Sequence, residues 1–361
     1  MRPGTQLSSS CCKCVTNHFR ASEEPRWDAR VVAWQQMTYR NGPSDEDDRP
    51  PHVRAASGLS AFREYLAVIQ DDANWLALID ADQQVTAVPL PPSPAGDRVF
   101  SKKRGNQGDK YDLEACVTVA TGGTSELVGF SSGSRTKREW VLRVRPLPKS
   151  AEFKAEFVPA AAFYAAMRAD KVFSGAGLNI EGALSLDQDR IRLFQRGNAD
   201  SCQGLKPVDA TGDFSWTSLS QHLCDSDRYP PPVLENVRTY DLGTLRGVRL
   251  TFSDAEHLGG GRVLFSASAE DPGSGEIKGS VLGIIESDGN ARWTHLSDED
   301  GRPFEGKIEG LTLDRNDKAK VYFVIDDDDE DTPSRIFHAL ISEEMLAGEV
   351  AEPSNVLHHR M

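Results

Sequence analysis

The phrase Lys307-Ile308-Glu309-Gly310-Leu311-Thr312-Leu313, followed after a turn by Val321-Tyr322-Phe323-Val324-Ile325-Asp326, decides the fold because it recurs. A second copy is Asn179-Ile180-Glu181-Gly182-Ala183-Leu184-Ser185-Leu186, then Arg190-Ile191-Arg192-Leu193-Phe194. A third is Asp112-Leu113-Glu114-Ala115-Cys116-Val117-Thr118-Val119, then Glu126-Leu127-Val128-Gly129-Phe130. A looser one reads Asp254-Ala255-Glu256-His257-Leu258, then Arg262-Val263-Leu264-Phe265. In a fifth, Ser57 takes the place of the acid: Ser57-Gly58-Leu59-Ser60-Ala61-Phe62, then Tyr65-Leu66-Ala67-Val68-Ile69. Each copy is an acidic or polar residue, a short apolar strand, a turn and a second apolar strand. A third strand usually follows.

Units of roughly 40–50 residues with about four strands each are the mark of a β-propeller. The copies are unevenly spaced, which a propeller tolerates because insertions fall in loops between strands. The expectation is an all-β chain forming a single β-propeller over residues 29–345, five-bladed, with six blades as the alternative. A sixth blade would have to come from 198–236 or 1–56. The fifth unit lacks an outer strand, so the stretch 30–40 is the natural donor, and an N-terminal strand would close the last blade and remove exposed sheet edges. Residues 1–28 and 346–361 read as flexible tails. Ala160 to Arg168 reads as a short helix with Phe163, Ala166 and Met167 on one face.

Composition bounds the partners. A hydrophobic content of 39% supports a sizeable core, so general disorder is excluded. The formal net charge of −14 speaks against binding nucleic acid or an anionic membrane surface without a basic face. No run reaches the roughly eighteen apolar residues of a membrane span. Met1 to Arg26 holds no apolar core of a secretory signal, so the expectation is a cytoplasmic monomer whose partner is a small polar molecule. Among the cysteines, Cys11, Cys12 and Cys14 crowd the start without zinc-finger spacing, and Cys202 and Cys224 flank a long insertion that a bridge between them would span.

In a propeller the first strand of each blade lines the channel and pairs antiparallel with the second. The start of the first strand and the end of the second therefore share one mouth. The strand-start set is Ser57, Glu114, Glu181, Glu256 and Glu309. The strand-end set is Asp71 and Asp72, Ser131 and Ser132, Arg196, Ser268 and Glu270, and Asp326 and Asp327. Four converging carboxylates repel one another. A divalent cation, protonation, or basic side chains such as Arg135, Lys110, Arg196 and Lys307 can offset this. Hard oxygen donors suit Ca²⁺ or Mg²⁺, with Glu114, Glu181, Glu256 and Glu309 as the ligand set. Glu181, Glu309, Asp326 and Arg196 are the candidate catalytic groups. The plainer alternative is that each Glu accepts backbone N–H bonds and fixes blade packing.

Other features carry less. The run Asp326 to Asp331 lacks the alternating spacing of a calcium loop and reads as a solvated acidic turn. His257 and His338 read as structural. Gly259-Gly260-Gly261 is a hairpin turn. No nucleophile elbow, phosphate loop, dinucleotide fingerprint or metalloprotease motif is present.

The Ile-Glu-Gly-(Ala/Leu) openings at 180–183 and 308–311, each followed by a strand ending in a polar or acidic turn, resemble those of bacterial propellers of the esterase-like phytase family and of the gluconolactonase and senescence-marker type. That resemblance, over roughly 55–341, implies that a Glu-Gly at the start of an inner strand points into the channel, where acids hold a divalent cation. Glu181 and Glu309 match it, Glu114 and Glu256 match in part, and Ser57 departs from it. Two functions follow as expectations: a cation-dependent hydrolase of a phosphoester, lactone or other polar ester, or a non-catalytic binding or scaffold propeller with a structural glutamate ring.

Overall fold

A computed structural model describes residues 17–147, 150, 152–202, 204–327 and 329–347. The chain opens with three strands, β1 (His18–Arg20), β2 (Ser22–Glu23) and β3 (Ala29–Gln36). Four-stranded antiparallel sheets follow. The first is β4 (Ala56–Phe62), β5 (Tyr65–Gln70), β6 (Trp75–Ile79) and β7 (Val85–Pro89). The second is β8 (Leu113–Thr121), β9 (Thr124–Ser131), β10 (Trp140–Pro146) and β11 (Phe153–Pro159). The third is β12 (Ile180–Ser185), β13 (Arg190–Gln195), β14 (Asp209–Ser215) and β15 (Glu235–Asp241). After the short β16 (Thr244–Leu245) comes the fourth, β17 (Val248–Gly259), β18 (Arg262–Glu270), β19 (Ile277–Ile285) and β20 (Ala291–Ser297). The last is β21 (Ile308–Leu313), β22 (Lys320–Ile325) and β23 (Arg335–Ile341), whose free edge pairs antiparallel with β3.

The arrangement is all-β and propeller-like. The first strands β4, β8, β12, β17 and β21 pack side by side in order, and β21 packs back against β4. They come close enough that a side chain would intrude. A methyl group on Gly310 would lie 2.5 Å from the Leu59 backbone nitrogen and 2.6 Å from the Gly58 carbonyl carbon. That approach explains the glycine of the recurring phrase better than any turn does.

The stretch 198–236, weighed as the source of a sixth blade, supplies β14 and the start of β15 to the third sheet instead. Its strands are hard to see because they bury charge. Asp213 is buried against Arg192 (2.6 Å), and the buried Asp209 pairs with the partly exposed Arg249 (2.5 Å). Arg246 to Phe252 lies largely within β17.

Residues 18–23 fall in the stretch expected to be a tail, yet they form edge strands. β1 runs parallel to β15 and β2 parallel to β20. Ala29 and Arg30 of β3 also pair with Leu296 and Ser297, and Tyr39 bridges to Val85. The N-terminal segment thus runs as a strap over the outer edges of four sheets in turn.

Helix α1 (Ala161–Ala169) buries Phe163, Tyr164 and Met167, so Tyr164 takes the place expected for Ala166. Its hydroxyl donates to the Ser131 and Trp140 carbonyls, which fixes the helix to the second sheet. Cys202 and Cys224 are both free thiols, not a bridge. Cys11, Cys12 and Cys14 lie outside the described residues, as does Asp328 of the acidic run. No helix among the described residues is long and apolar enough to cross a membrane.

Candidate functional site

Every first strand breaks register with its neighbour near its start. The shifts fall between Ala56 and Gly58, Leu113 and Ala115, Ile180 and Gly182, Phe252 and Asp254, and Ile308 and Gly310. Each leaves one unpaired residue, and a bulge of this kind re-aims its side chain. The five residues are Ser57, Glu114, Glu181, Ser253 and Glu309. The fourth copy of the phrase is therefore anchored three positions earlier than the acid in Asp254-Ala255-Glu256 suggests.

Glu256 belongs further down β17. It accepts from Thr312 Oγ1 and from the His257 backbone N–H, both at 2.8 Å, and lies outside the set lining the mouth. Asp254 occupies the position held by Gly58, Gly182 and Gly310 in other units. Its Oδ2 accepts from the Leu311 N–H (2.8 Å), and burial pushes its carboxyl well above the usual range.

Glu114, Glu181, Glu309, Asp326 and Arg196 all line one cavity of about 420 Å³, together with Ser57, Asp71, Asp112, Lys110, Arg138 and Lys307. The charges fall into two groups. In one, Lys110 Nζ bonds Asp71 (2.5 Å) and Asp112 (2.9 Å), Arg138 reaches Asp112 (2.8 Å), and Ser132 Oγ donates to Asp112. Asp112 holds a left-handed backbone, φ 59°, which few residues other than Gly, Asn and Asp adopt readily. In the other, Arg196 bonds Glu181 (3.1 Å), Glu270 (2.6 Å) and Thr251 Oγ1 (3.2 Å), while Lys307 bonds Glu309 (2.7 Å). Asn179 Nδ2 donates to Glu181 (2.6 Å), and Ser334 Oγ lies 3.4 Å from Asp326.

Two of the three ways to offset the repulsion are visible. Basic side chains provide one, with exposed Arg135 replaced in that role by Arg138. Raised proton affinity provides the other. Burial, reinforced by Asp71, Asp112 and Glu181, lifts Glu114 well above the carboxylate range. Burial lifts Asp71 up to about 7 against the pull of Lys110, and Glu309 up to about 7 against that of Lys307. Asp112 resists its own burial, because Lys110, Ser132 and Arg138 hold it below its ordinary value.

A pH dependence follows. The folded chain keeps protons on Asp71 and Glu309 that the unfolded chain has released above about pH 4. Their contribution to stability is complete below that pH and is lost as pH rises through about 7. Glu309→Gln should therefore flatten the decline in melting temperature between pH 5 and 8 relative to wild type. An unchanged slope would remove Glu309 from the titrating set.

Asp71, Asp112 and Glu114 also form an acidic group able to hold a metal ion, one oxygen of each lying within 4.8 Å of the others. Hard carboxylate donors fit Ca²⁺ or Mg²⁺, but Lys110 already contacts two of the three. The anticipated ligand set is not assembled, because Glu256 faces elsewhere and Glu181 and Glu309 are engaged by Arg196 and Lys307. Sequence reasoning placed Asp71 at the mouth and named Lys110 as a charge source. It missed Asp112 and Arg138 as site residues, whose meeting depends on loop paths with no periodic signal.

Residues 52–341 match a family of unknown function, DUF6929. The chain belongs to that family. No curated protein sequence matches it. Among solved structures it is similar to a gluconolactonase from Xanthomonas campestris, at 12% identity over 90% of this chain and 97% of that one, with a TM-score of 0.37. It is similar to an exo-1,5-α-L-arabinanase from a bovine ruminal metagenomic library, at 10% identity over 81% and 97% of the two chains, TM-score 0.42. A streptogramin B lyase is similar at 10% identity over 86% and 98%, TM-score 0.37.

Proposed function

We propose that this family member is a closed five-bladed propeller, one domain over residues 29–345, that binds a small polar ligand at the mouth and hydrolyses a polar ester, lactone or phosphoester there as a cytoplasmic monomer. The ring of five neighbouring first strands and the pairing of β3 with β23 support the closure and the blade count. The observation that carries the function is the cavity itself. Ion pairs that served packing alone would close on one another. Here charged or polar groups from four of the five repeats surround an open volume of about 420 Å³, within the range of small-ligand sites.

The residues divide by chemistry. Glu309, raised to about 7, suits a general base at neutral pH. Glu114, held protonated in the absence of a cation, would release that proton on ligating one. Arg196 and Lys307 face the same space and would stabilise negative charge developing on the substrate. Ca²⁺ or Mg²⁺ held by Asp71, Asp112 and Glu114 would supply polarisation of a carbonyl or phosphoryl oxygen. Asp326 and Asp71 would orient the ligand.

One observation favours a second reading, a binding or scaffold propeller: Lys110 already bridges Asp71 and Asp112 where a cation would sit. Melting curves with EDTA, Ca²⁺ and Mg²⁺, followed by an ester, lactone and phosphoester panel, separate the two. The hydrolase reading expects a rise in melting temperature with the metal, by mass action on the folded state. Lys110→Met should enlarge that rise, Asp112→Asn should abolish it, and Asp329→Asn, on the exposed turn, should leave it unchanged. No metal response together with no turnover would leave the scaffold.

A further inference from the structure

A second cavity, of about 530 Å³, adjoins the mouth, and Ala55, Asp71, Lys110 and Asp326 line both. Arg54, Asp72, Lys102, Lys103, Gln107 and Glu330 line the second alone. Two loops of opposite charge meet there. Lys103 Nζ crosses to Glu330 (2.6 Å) and Asp331 (3.0 Å), and Arg54 bonds Asp72 (2.7 Å) and Glu330 (3.3 Å). The basic loop Lys102-Lys103-Arg104 has no part in the mouth chemistry described above.

The lining constrains what fits. Six acids face four bases around the mouth, and five face four around the second cavity. Most of these bases already hold a carboxylate, so a phosphate or other dianion would enter a field with no spare positive charge. A hydroxyl group both donates and accepts. It can bond a carboxylate on one side and an ammonium or guanidinium on the other without adding charge. A surface of alternating acids and bases therefore selects a neutral compound dense in hydroxyls. Two such spaces in series select a linked one.

We propose that the two cavities form one site for a neutral oligosaccharide of at least two units, with a linkage lying over the Asp71–Lys110–Asp326 partition. The proposal rests on the mouth being a ligand site. It names the class of ligand bound and sets the phosphoester aside.

Calorimetric titration of the full chain tests it, using glucose, glucose 6-phosphate, maltose, cellobiose and their trisaccharides, preceded by a glycan array. Disaccharides should bind at least tenfold more tightly than the monosaccharide. The double variant Lys102→Ala/Gln107→Ala, exposed and confined to the second cavity, should erase that gain and leave monosaccharide binding unchanged. Glu309→Gln at the mouth should weaken both. A monosaccharide that binds as tightly as its dimer, or preference for the phosphate ester, overturns the inference and leaves the mouth reading intact. Failure of every glycan on the array and in solution, with ester and lactone turnover retained, also overturns the inference alone. The same failure without turnover overturns both.

Discussion

Arg196→Ala should lower the unfolding free energy at neutral pH by about 3 kcal/mol, read from urea midpoints at constant slope. Arg196 is buried, bonds Glu181 and Glu270 from two different sheets, and donates to Thr251. Removing it leaves Glu181 in a buried site without its main partner. Breaking a buried pair from one side costs about 3–5 kcal/mol, and the lower end applies because Glu270 is partly open to solvent. The sign of the pH response is fixed. With the guanidinium gone, the two carboxylates disfavour the fold only while ionised, so acidification toward pH 4 should recover part of the loss. Arg196→Lys should recover less than half, since a single ammonium cannot fork to two acids. A loss below about 1 kcal/mol, or one that does not change with pH, would mean that the mouth does not depend on this cation.

Gly310→Ala should cost about 3 kcal/mol, the upper end of overpacking penalties. The added methyl would meet backbone atoms of Gly58 and Leu59 at 2.5 to 2.7 Å, and backbone in a packed inner strand has no rotamer by which to yield. The clash lies where the last first-strand, β21, packs against the first one, β4. Gly108→Ala is the control. Its added methyl meets nothing within 4 Å, and its change should stay within about 0.5 kcal/mol. Equal effects at the two positions would contradict the close approach of β21 and β4.

These two residues also show how far the sequence could be read. Gly310 stands in a phrase that repeats, and repetition alone exposed the propeller-like layout and the donated N-terminal strand. Pairing geometry then placed Arg196 and Asp326 at the mouth with Glu114, Glu181 and Glu309. The fourth unit misled because charge was used to align it. The bulge there presents Ser253, and the nearby acid that drew attention, Glu256, bonds Thr312 instead. In the third unit, Asp209 and Asp213 are buried in ion pairs, so the alternation of apolar and polar residues that marks a strand is absent from β14. Lys110, Asp112 and Arg138 converge from loops and a strand start, and no pattern of spacing encodes how a loop returns.

The N-terminal strap has a consequence for biosynthesis. β3 emerges from the ribosome long before the edge it must join, β23. At translation rates of roughly 5–20 residues per second, that leaves about 15–60 s in which a strand has no partner, separated from it by about 300 residues. The sheets between can form as they are made, while β3 must wait for β23. A nascent chain arrested before β23 would therefore present the unpaired, adhesive edges of β3 and β22. Its capture by chaperones, or its loss to aggregation, would be decided in that interval and not by the equilibrium stability of the finished molecule.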